Sequence, residues 1–462
     1  MKLPVIGEAL HARELQPVAG ATIDDIDLDQ LNDYISRLNR LVKTETFKAD
    51  LPSARSFLER KYFLREGRAT TLGMLVCGQH VTDSLGFRCQ VHGYVDVPQE
   101  IARDKQDLSN NILPLMESSL AYILRNIQVG VSVEHGGTSR SQYPEELLRE
   151  TVNNALAHRD YSINRQVIIA IKPGKHIAIR NPGSFRKHVL LEATDDPVPV
   201  RRILPEAKPR NPRLADVLRV YRKWEGRGIG MATLVNLCLE NRIDLPYYRF
   251  GTEEVTLHLC TGQLLDERME RLFGSFDAYL AAKLQGRTLT TEQKLVLAYL
   301  IKSERVNEQV GYTILLGPDN NHFSELSALA RAKLIVQHAL STPNYPVYVV
   351  DRALLRRDYV PELRALFGAA FDPLDGFLKD ILSVVYRFNK FSSLRAVNAK
   401  QTSFSLWFEQ GRDQGDINAF ESFDRKVRRT FNKLEAAGFV LPAAPKAKRY
   451  LLNERFLLEH LV

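Results

Sequence analysis

Apolar positions along the chain first recur with a helical period. Leu31, Tyr34, Ile35, Leu38 and Leu41 follow an acidic stretch, Asp24-Asp25-Ile26-Asp27-Leu28-Asp29, and predict a docking helix with a capped start. Between Ala54 and Gly93 a helix around Phe57-Leu58-Glu59-Arg60-Lys61 gives way to Leu72-Gly73-Met74-Leu75-Val76-Cys77-Gly78, an apolar run that fits a buried strand or a buried helix. A long amphipathic helix is expected over Asp107–Ile127, and another begins near Pro144 with Glu145 and Glu146 in its first turn. Alternation then switches to strand spacing in Val167-Ile168-Ile169-Ala170-Ile171 and His176-Ile177-Ala178-Ile179, joined by Pro173-Gly174. Helices over Leu214–Trp224 and through Glu240, and a strand Val255–Leu259, close this middle region.

Beyond Thr261 helices are punctuated by short strands. Helices are expected over Thr290–Ile301 and Phe323–Leu340, followed by a strand over Tyr345–Val350. The last hundred residues predict helices Leu374–Tyr386 and Ala419–Ala437, a stop at Gly438, and strands Phe439-Val440-Leu441 and Tyr450-Leu451-Leu452 around a basic loop, the order of a winged helix. The fold class read from this pattern is α+β. Four segments are expected: an N-terminal segment (1–95), a middle domain (96–262), and two winged-helix-like domains (263–358 and 359–462).

Composition adds little to that picture. The 462 residues are 44% hydrophobic and 26% charged, with net charge +8, which permits contact with nucleic acid without requiring it. No stretch is apolar and long enough to span a membrane, so a cytoplasmic protein with no membrane partner is expected. Cys77, Cys89, Cys238 and Cys260 lie apart, with neither disulfide-framework nor zinc-knuckle spacing.

Candidate chemistry lies on the helix after Pro144. Leu148, Val152 and Leu156 form one row, and Glu150, Asn154 and His158 form a second on a different face. An asparagine carbonyl suits Mg²⁺ that also holds phosphates, and a carboxylate one turn away suits the orientation of an attacking water. A solvated helix face is the common source of such spacing taken alone. Gly183 directly after a strand, and Gly226, Gly228 and Gly230 ahead of a helix, add places for a ring and for phosphates. No Gly-x-x-x-x-Gly-Lys-Ser/Thr occurs, which argues against a P-loop motor.

The runs Arg149-Glu150-Thr151-Val152-Asn153-Asn154-Ala155-Leu156-Ala157-His158-Arg159-Asp160-Tyr161-Ser162, Ile179-Arg180-Asn181-Pro182-Gly183, Arg210-Asn211-Pro212 and Glu225-Gly226-Arg227-Gly228-Ile229 together resemble one known family. It comprises RecG-like and Schlafen/AlbA-domain transcriptional regulators, a divergent branch of the GHKL ATPases, over roughly residues 60 to 262. The resemblance implies an α/β sandwich with a Bergerat pocket for ATP and Mg²⁺. It makes Glu150 the catalytic base and Asn154 the Mg²⁺ ligand. Asn181 and Gly183 become the adenine-side contacts, Gly226, Arg227, Gly228, Ile229 and Gly230 the phosphate loop, and His158 and Asp160 part of the cofactor-binding set. Asn181 stands where most GHKL proteins carry aspartate. The AlbA-type domain that usually opens the family is reduced here to Gly20–Leu28, so a partner chain carrying that domain or an effector is an expected partner, and a homo-oligomer is compatible.

Arg425, Lys426, Arg428 and Arg429 on the last long helix, with Lys446, Lys448 and Arg449 in the following loop, are the candidate contacts to double-stranded DNA; an acidic protein surface is the alternative. Arg201, Arg202, Lys208 and Arg210 fit a lid over phosphates. The function that follows is an ATP-binding, DNA-binding regulator of transcription. The alternative is an ATPase subunit of a prokaryotic antiviral defence or mobile-element complex acting with a partner chain.

Overall fold

The computed structural model describes residues 13–42, 51–97, 101–127, 143–205, 209–223, 230–410 and 417–460. The chain divides into two compact units: Met1–Leu264 with Lys302–Phe323 and Ala339–Val347, and Leu265–Ile301 with Ser324–His338 and Tyr348–Val462. Helices and a large mixed sheet make it α+β, as the patterning predicts.

In the first unit the acidic stretch does open a helix. Asp27 Oδ1 accepts the backbone N–H of Asp29 and Gln30, at 2.9 and 3.1 Å, ahead of Leu28–Val42. A second helix, Leu51–Arg60, leads to the two-residue strands β1 (Leu64–Arg65) and β2 (Arg68–Ala69). The apolar run that sequence left between strand and helix is a helix, Thr71–Cys77. All seven of its residues are buried, and the Thr70 hydroxyl caps it by accepting the Gly73 N–H at 3.1 Å.

The sheet is built from β3 (Gln90–Val95), β4 (Arg103–Ser109), β5 (Val167–Lys172), β6 (His176–Pro182), β7 (Leu190–Ala193), β8 (Val200–Ile203), β9 (Tyr247–Phe250), β10 (Glu254–Cys260) and β11 (Tyr312–Ile314). Their spatial order is β4-β3-β5-β6-β10-β9-β11-β8-β7. Neighbours are antiparallel except β3–β5 and β8–β11, which are parallel. The sheet therefore runs across residue 95 through β3, and it takes β11 from the segment read as a separate winged-helix-like domain. Val91, Val167, Ile169, Ile171, Ile177, Ile179, Leu257 and Leu259 alternate along the strands and are buried. Helices Ile112–Ile127 and Glu145–His158 pack on these strands and on each other.

Two expected helices are shorter than the patterning suggested. Arg103–Ser109 is a strand rather than the start of the 107–127 helix, which begins at Ile112. Asn111 divides them, its side-chain amide donating to the carbonyls of Met74 (3.1 Å) and Gly78 (3.0 Å). The second, expected over Phe323–Leu340, ends at Arg331. Lys333 turns left-handed (φ +55°) and the β-branched pair Ile335-Val336 enters a strand. The arginines assigned to a lid are also placed differently. Arg201 and Arg202 belong to β8, where Arg202 is 1% exposed and both contact Asn307. Strand residues within a sheet cannot close over a ligand. Lys208 lies outside the described residues.

The second unit contains β12 (Ile335–Gln337) paired with β13 (Tyr348–Val350), and a C-terminal core including Phe367, Phe371, Val385, Phe431 and Phe439. Around that core run helices Gly376–Phe391, Ala399–Glu409 and Ile417–Ala436, then the antiparallel pair β14 (Val440–Pro442) and β15 (Tyr450–Leu452). A single bridge joins Val397 to Tyr450, so the order is helix, bridge, helix, helix, hairpin.

Candidate nucleotide site

The Glu145–His158 helix turns Leu147, Leu148, Val152 and Leu156 into the core and leaves Glu150, Asn154 and His158 half-buried beside them. A half-buried polar row is neither a solvated ridge nor a packed one. Asn154 Nδ2 donates to Glu150 Oε1 at 3.0 Å, a bond that does not use the Asn154 carbonyl oxygen. Helix Gly230–Glu240 packs against this helix by its first residue. A methyl group on Gly230 would lie 2.6 Å from Glu150 Oε1 and 3.0 Å from Asn154 Oδ1, so a larger residue there would displace those side-chain ends. The positive end of a helix thus faces a carboxylate and an amide oxygen. Gly226, Arg227, Gly228 and Ile229 lie outside the described residues.

Tyr248 on β9 was not anticipated. It is buried, and burial followed by the charge of Glu150 pushes its hydroxyl pKa upward, so it stays a neutral phenol. Among the described residues no cluster of three or more histidine, cysteine or acidic side chains could hold a metal ion. The donor set of Glu150 and Asn154 instead fits Mg²⁺ carried largely by phosphates and water.

Asn181 and Gly183 stand at the end of β6. The Asn181 amide donates to the Ala155 carbonyl at 2.8 Å, while its own Oδ1 is buried with no hydrogen-bond partner. An unsatisfied buried acceptor costs about 1–3 kcal/mol and is relieved by any ligand N–H that reaches it. Gly183 adopts φ +118°, and a Cβ there would meet Asp160 Cβ at 3.0 Å. Asp160 is 3% exposed and already engaged: Arg210 Nη1 lies 3.0 Å away, Arg13 pairs with the same oxygen, and Ser162 donates its N–H and hydroxyl at 3.0 and 2.7 Å. The carboxylate therefore anchors arginines and a turn. Beside Arg13, the buried Glu14 accepts the backbone N–H of Arg213 and of Leu214, both at 2.9 Å, and so caps helix Pro212–Val220. Burial pushes its carboxyl up to about 7. Arg13 and Glu14 were invisible to motif reading because they act on residues far along the chain.

His158 closes the polar row. Burial, then the guanidinium groups of Arg210 and Arg186, lower its pKa from 6.5 to about 4, so the ring is neutral at physiological pH. Only the unfolded chain takes up this proton between those values, so the fold loses stability as pH falls from 6.5 toward 4, by up to about 3 kcal/mol. Glu14, with its raised pKa, acts in the opposite sense, being favoured by falling pH between 7 and 4.5. Comparing urea unfolding of the native chain and His158→Gln at pH 7 and pH 4.5 separates the two. The native chain is expected to lose more stability than the variant, and equal losses would contradict a neutral His158.

On the last long helix Phe423, Val427, Phe431 and Leu434 face the core, and Arg425, Lys426, Arg428 and Arg429 are exposed. They are not equivalent. Arg428 pairs with Asp424 at 2.7 Å, and Lys426 Nζ lies 4.1 Å from the centre of the Phe377 ring, while Arg425 and Arg429 share the outward ridge one turn apart. Lys446, Lys448 and Arg449 are exposed in the loop between β14 and β15.

No protein-family model matches this chain, and no curated protein matches it. A solved structure, the DIP2311 protein from Corynebacterium diphtheriae, aligns with 96% of this chain and 70% of its own, at 15% sequence identity and a TM-score of 0.41, too loose a likeness to assign a family. No helix among the described residues is long and apolar enough to cross a membrane.

Proposed function

We propose that the first unit binds ATP with Mg²⁺ in a Bergerat-type pocket and that the C-terminal helices and hairpin bind double-stranded DNA under its control. The observation that carries the nucleotide reading is the approach of Gly230 to the Glu150–Asn154 pair, which brings a helix N-terminus, an acid and an amide oxygen to one point. Phosphates belong at that helix end, Mg²⁺ at Asn154 Oδ1, and the exocyclic amine of the base at the buried Asn181 Oδ1. Glu150 is placed to orient or deprotonate a water, so slow hydrolysis fits the same residues. For DNA, the helix, bridge, helix, helix, hairpin order with a basic ridge and a basic loop supports the winged-helix reading.

Calorimetric titration with ATP tests the nucleotide reading. Saturable binding of one nucleotide per chain that weakens when Mg²⁺ is chelated is the expected result; no heat and no shift in melting temperature at millimolar ATP would overturn it. Fluorescence anisotropy on a duplex across a salt series tests the second part. Arg425→Ala with Arg429→Ala should flatten the log–log salt slope by roughly 0.9 per lost phosphate contact, on every sequence alike. An unchanged slope would move this basic face from DNA to an acidic protein.

A further inference from the structure

The face of the large sheet turned away from helices Ile112–Ile127 and Glu145–His158 carries a pattern that the nucleotide reading leaves unused. Cross-strand register aligns Tyr94 with Ala170, Ala170 with Ala178, Ala178 with His258, and His258 with Tyr247, so one row crosses β3, β5, β6, β10 and β9. All five residues are half-exposed, whereas the residues alternating with them are buried. His258 and Tyr247 stack with ring centres 4.7 Å apart and planes 11° from parallel. Two alanines thus form a low floor between Tyr94 on one side and a paired aromatic wall on the other. Three strand spacings separate those walls, roughly 14 Å.

Cations flank the floor along the strands. Arg180 lies two residues beyond Ala178 at one end, and Arg249 stands opposite Thr256 in the same flanking row. Lys172 and His176 face each other across β5 and β6 at the other end. Lys105 on the edge strand β4, two residues from Asp107 in the row that faces His92, extends the basic margin and is exposed. The acids on this face, Asp96, Asp107 and Glu254, pair with Lys172, His92 and Arg180 at 3.2, 2.8 and 3.4 Å, so four arginines and lysines, with His92 and His176, stand against three carboxylates. A flat floor walled by aromatic rings and bordered by positive charge on both sides complements exposed planar bases joined by phosphates. A duplex hides its base faces and presents only its edges and backbone.

We propose that this open sheet face binds single-stranded nucleic acid, bases over Ala170 and Ala178 and phosphates toward Arg180, Arg249 and Lys172. Its residues are shared with neither the nucleotide pocket nor the C-terminal helix, and it does not depend on either assignment. The test is anisotropy of a fluorescein-labelled oligothymidylate of about ten nucleotides, a length within the range that such surfaces cover, with the full-length chain. Tyr94→Ala is expected to raise Kd roughly tenfold through loss of one stacking partner, and Ala178→Glu, at a half-exposed position, more than that. Lys172→Gln should lower the salt dependence without disturbing the aromatic row. Near-UV circular dichroism checks that each variant keeps its packing. No binding by the native chain would overturn the proposal, as would equal affinity in Tyr94→Ala, Ala178→Glu and Lys172→Gln. If Ala178→Glu instead splits an oligomer seen by light scattering of the native chain, the face belongs to a second copy of the chain and the proposal fails.

Discussion

Asn154→Ala is expected to abolish Mg²⁺-dependent nucleotide binding, a loss of roughly a hundredfold or more in affinity. The substitution removes the amide oxygen assigned to the metal and also the N–H that Asn154 donates to Glu150 at 3.0 Å, so a metal ligand and the orientation of the neighbouring acid go together. The side chain is half-buried on a helix whose core row, Leu148, Val152 and Leu156, is untouched, so the fold should survive. Glu150→Ala separates the two effects. It keeps the Asn154 oxygen and should bind nucleotide nearly as the native chain does, while any hydrolysis falls by roughly 10²- to 10⁴-fold. Paired calorimetry and phosphate release check both variants, and native-like affinity in Asn154→Ala would remove it from the metal site.

Glu409→Ala should be the most destabilising single change at a charged position in the second unit. Arg387 is 4% exposed at its side chain and pairs with Glu409, 20% exposed, at 2.6 Å, on neighbouring helices of the C-terminal core. Removing the acid leaves a buried guanidinium without its counter-charge, which costs about 3–5 kcal/mol. For a unit of this size that lowers the melting temperature by roughly 10 °C. The double variant Arg387→Met, Glu409→Leu should recover most of the loss, because apolar groups of similar volume need no counter-charge. Differential scanning calorimetry distinguishes these outcomes, and a shift of less than about 2 °C in Glu409→Ala would show that the pair contributes little.

What the sequence disclosed was local. The strands Val167–Lys172 and His176–Pro182 and the hairpin after Gly438 follow from alternation and turn residues, and the helix bearing Glu150 follows from two rows four residues apart. Arg103–Ser109 was misread because an edge strand with its polar side chains in water has no apolar alternation to detect. Tyr312–Ile314 is three residues long, and it becomes a strand only because Tyr247–Phe250 and Val200–Ile203 flank it, partners more than 60 and 100 residues away. The site divides in the same way. Glu150, Asn154 and Gly183 were legible from helix spacing and a glycine after a strand. Tyr248, Arg13 and the capping role of Glu14 depend on tertiary neighbours that no short window contains.

The contact between Glu14 and helix Pro212–Val220 spans 199 and 200 residues of chain. A helix cap normally comes from the residue next door and forms as soon as the turn does. Here the acceptor leaves the ribosome early and waits for donors that emerge about two hundred residues later, so the first unit cannot complete its folding in order of synthesis. Loop closure of that length weighs on the folding rate far more than on final stability. The first unit should therefore not mature until the segment bearing Arg213 and Leu214 has emerged. Until it does, the segment around Glu14 is exposed to proteases, a vulnerability set by timing rather than by any weakness of the finished structure.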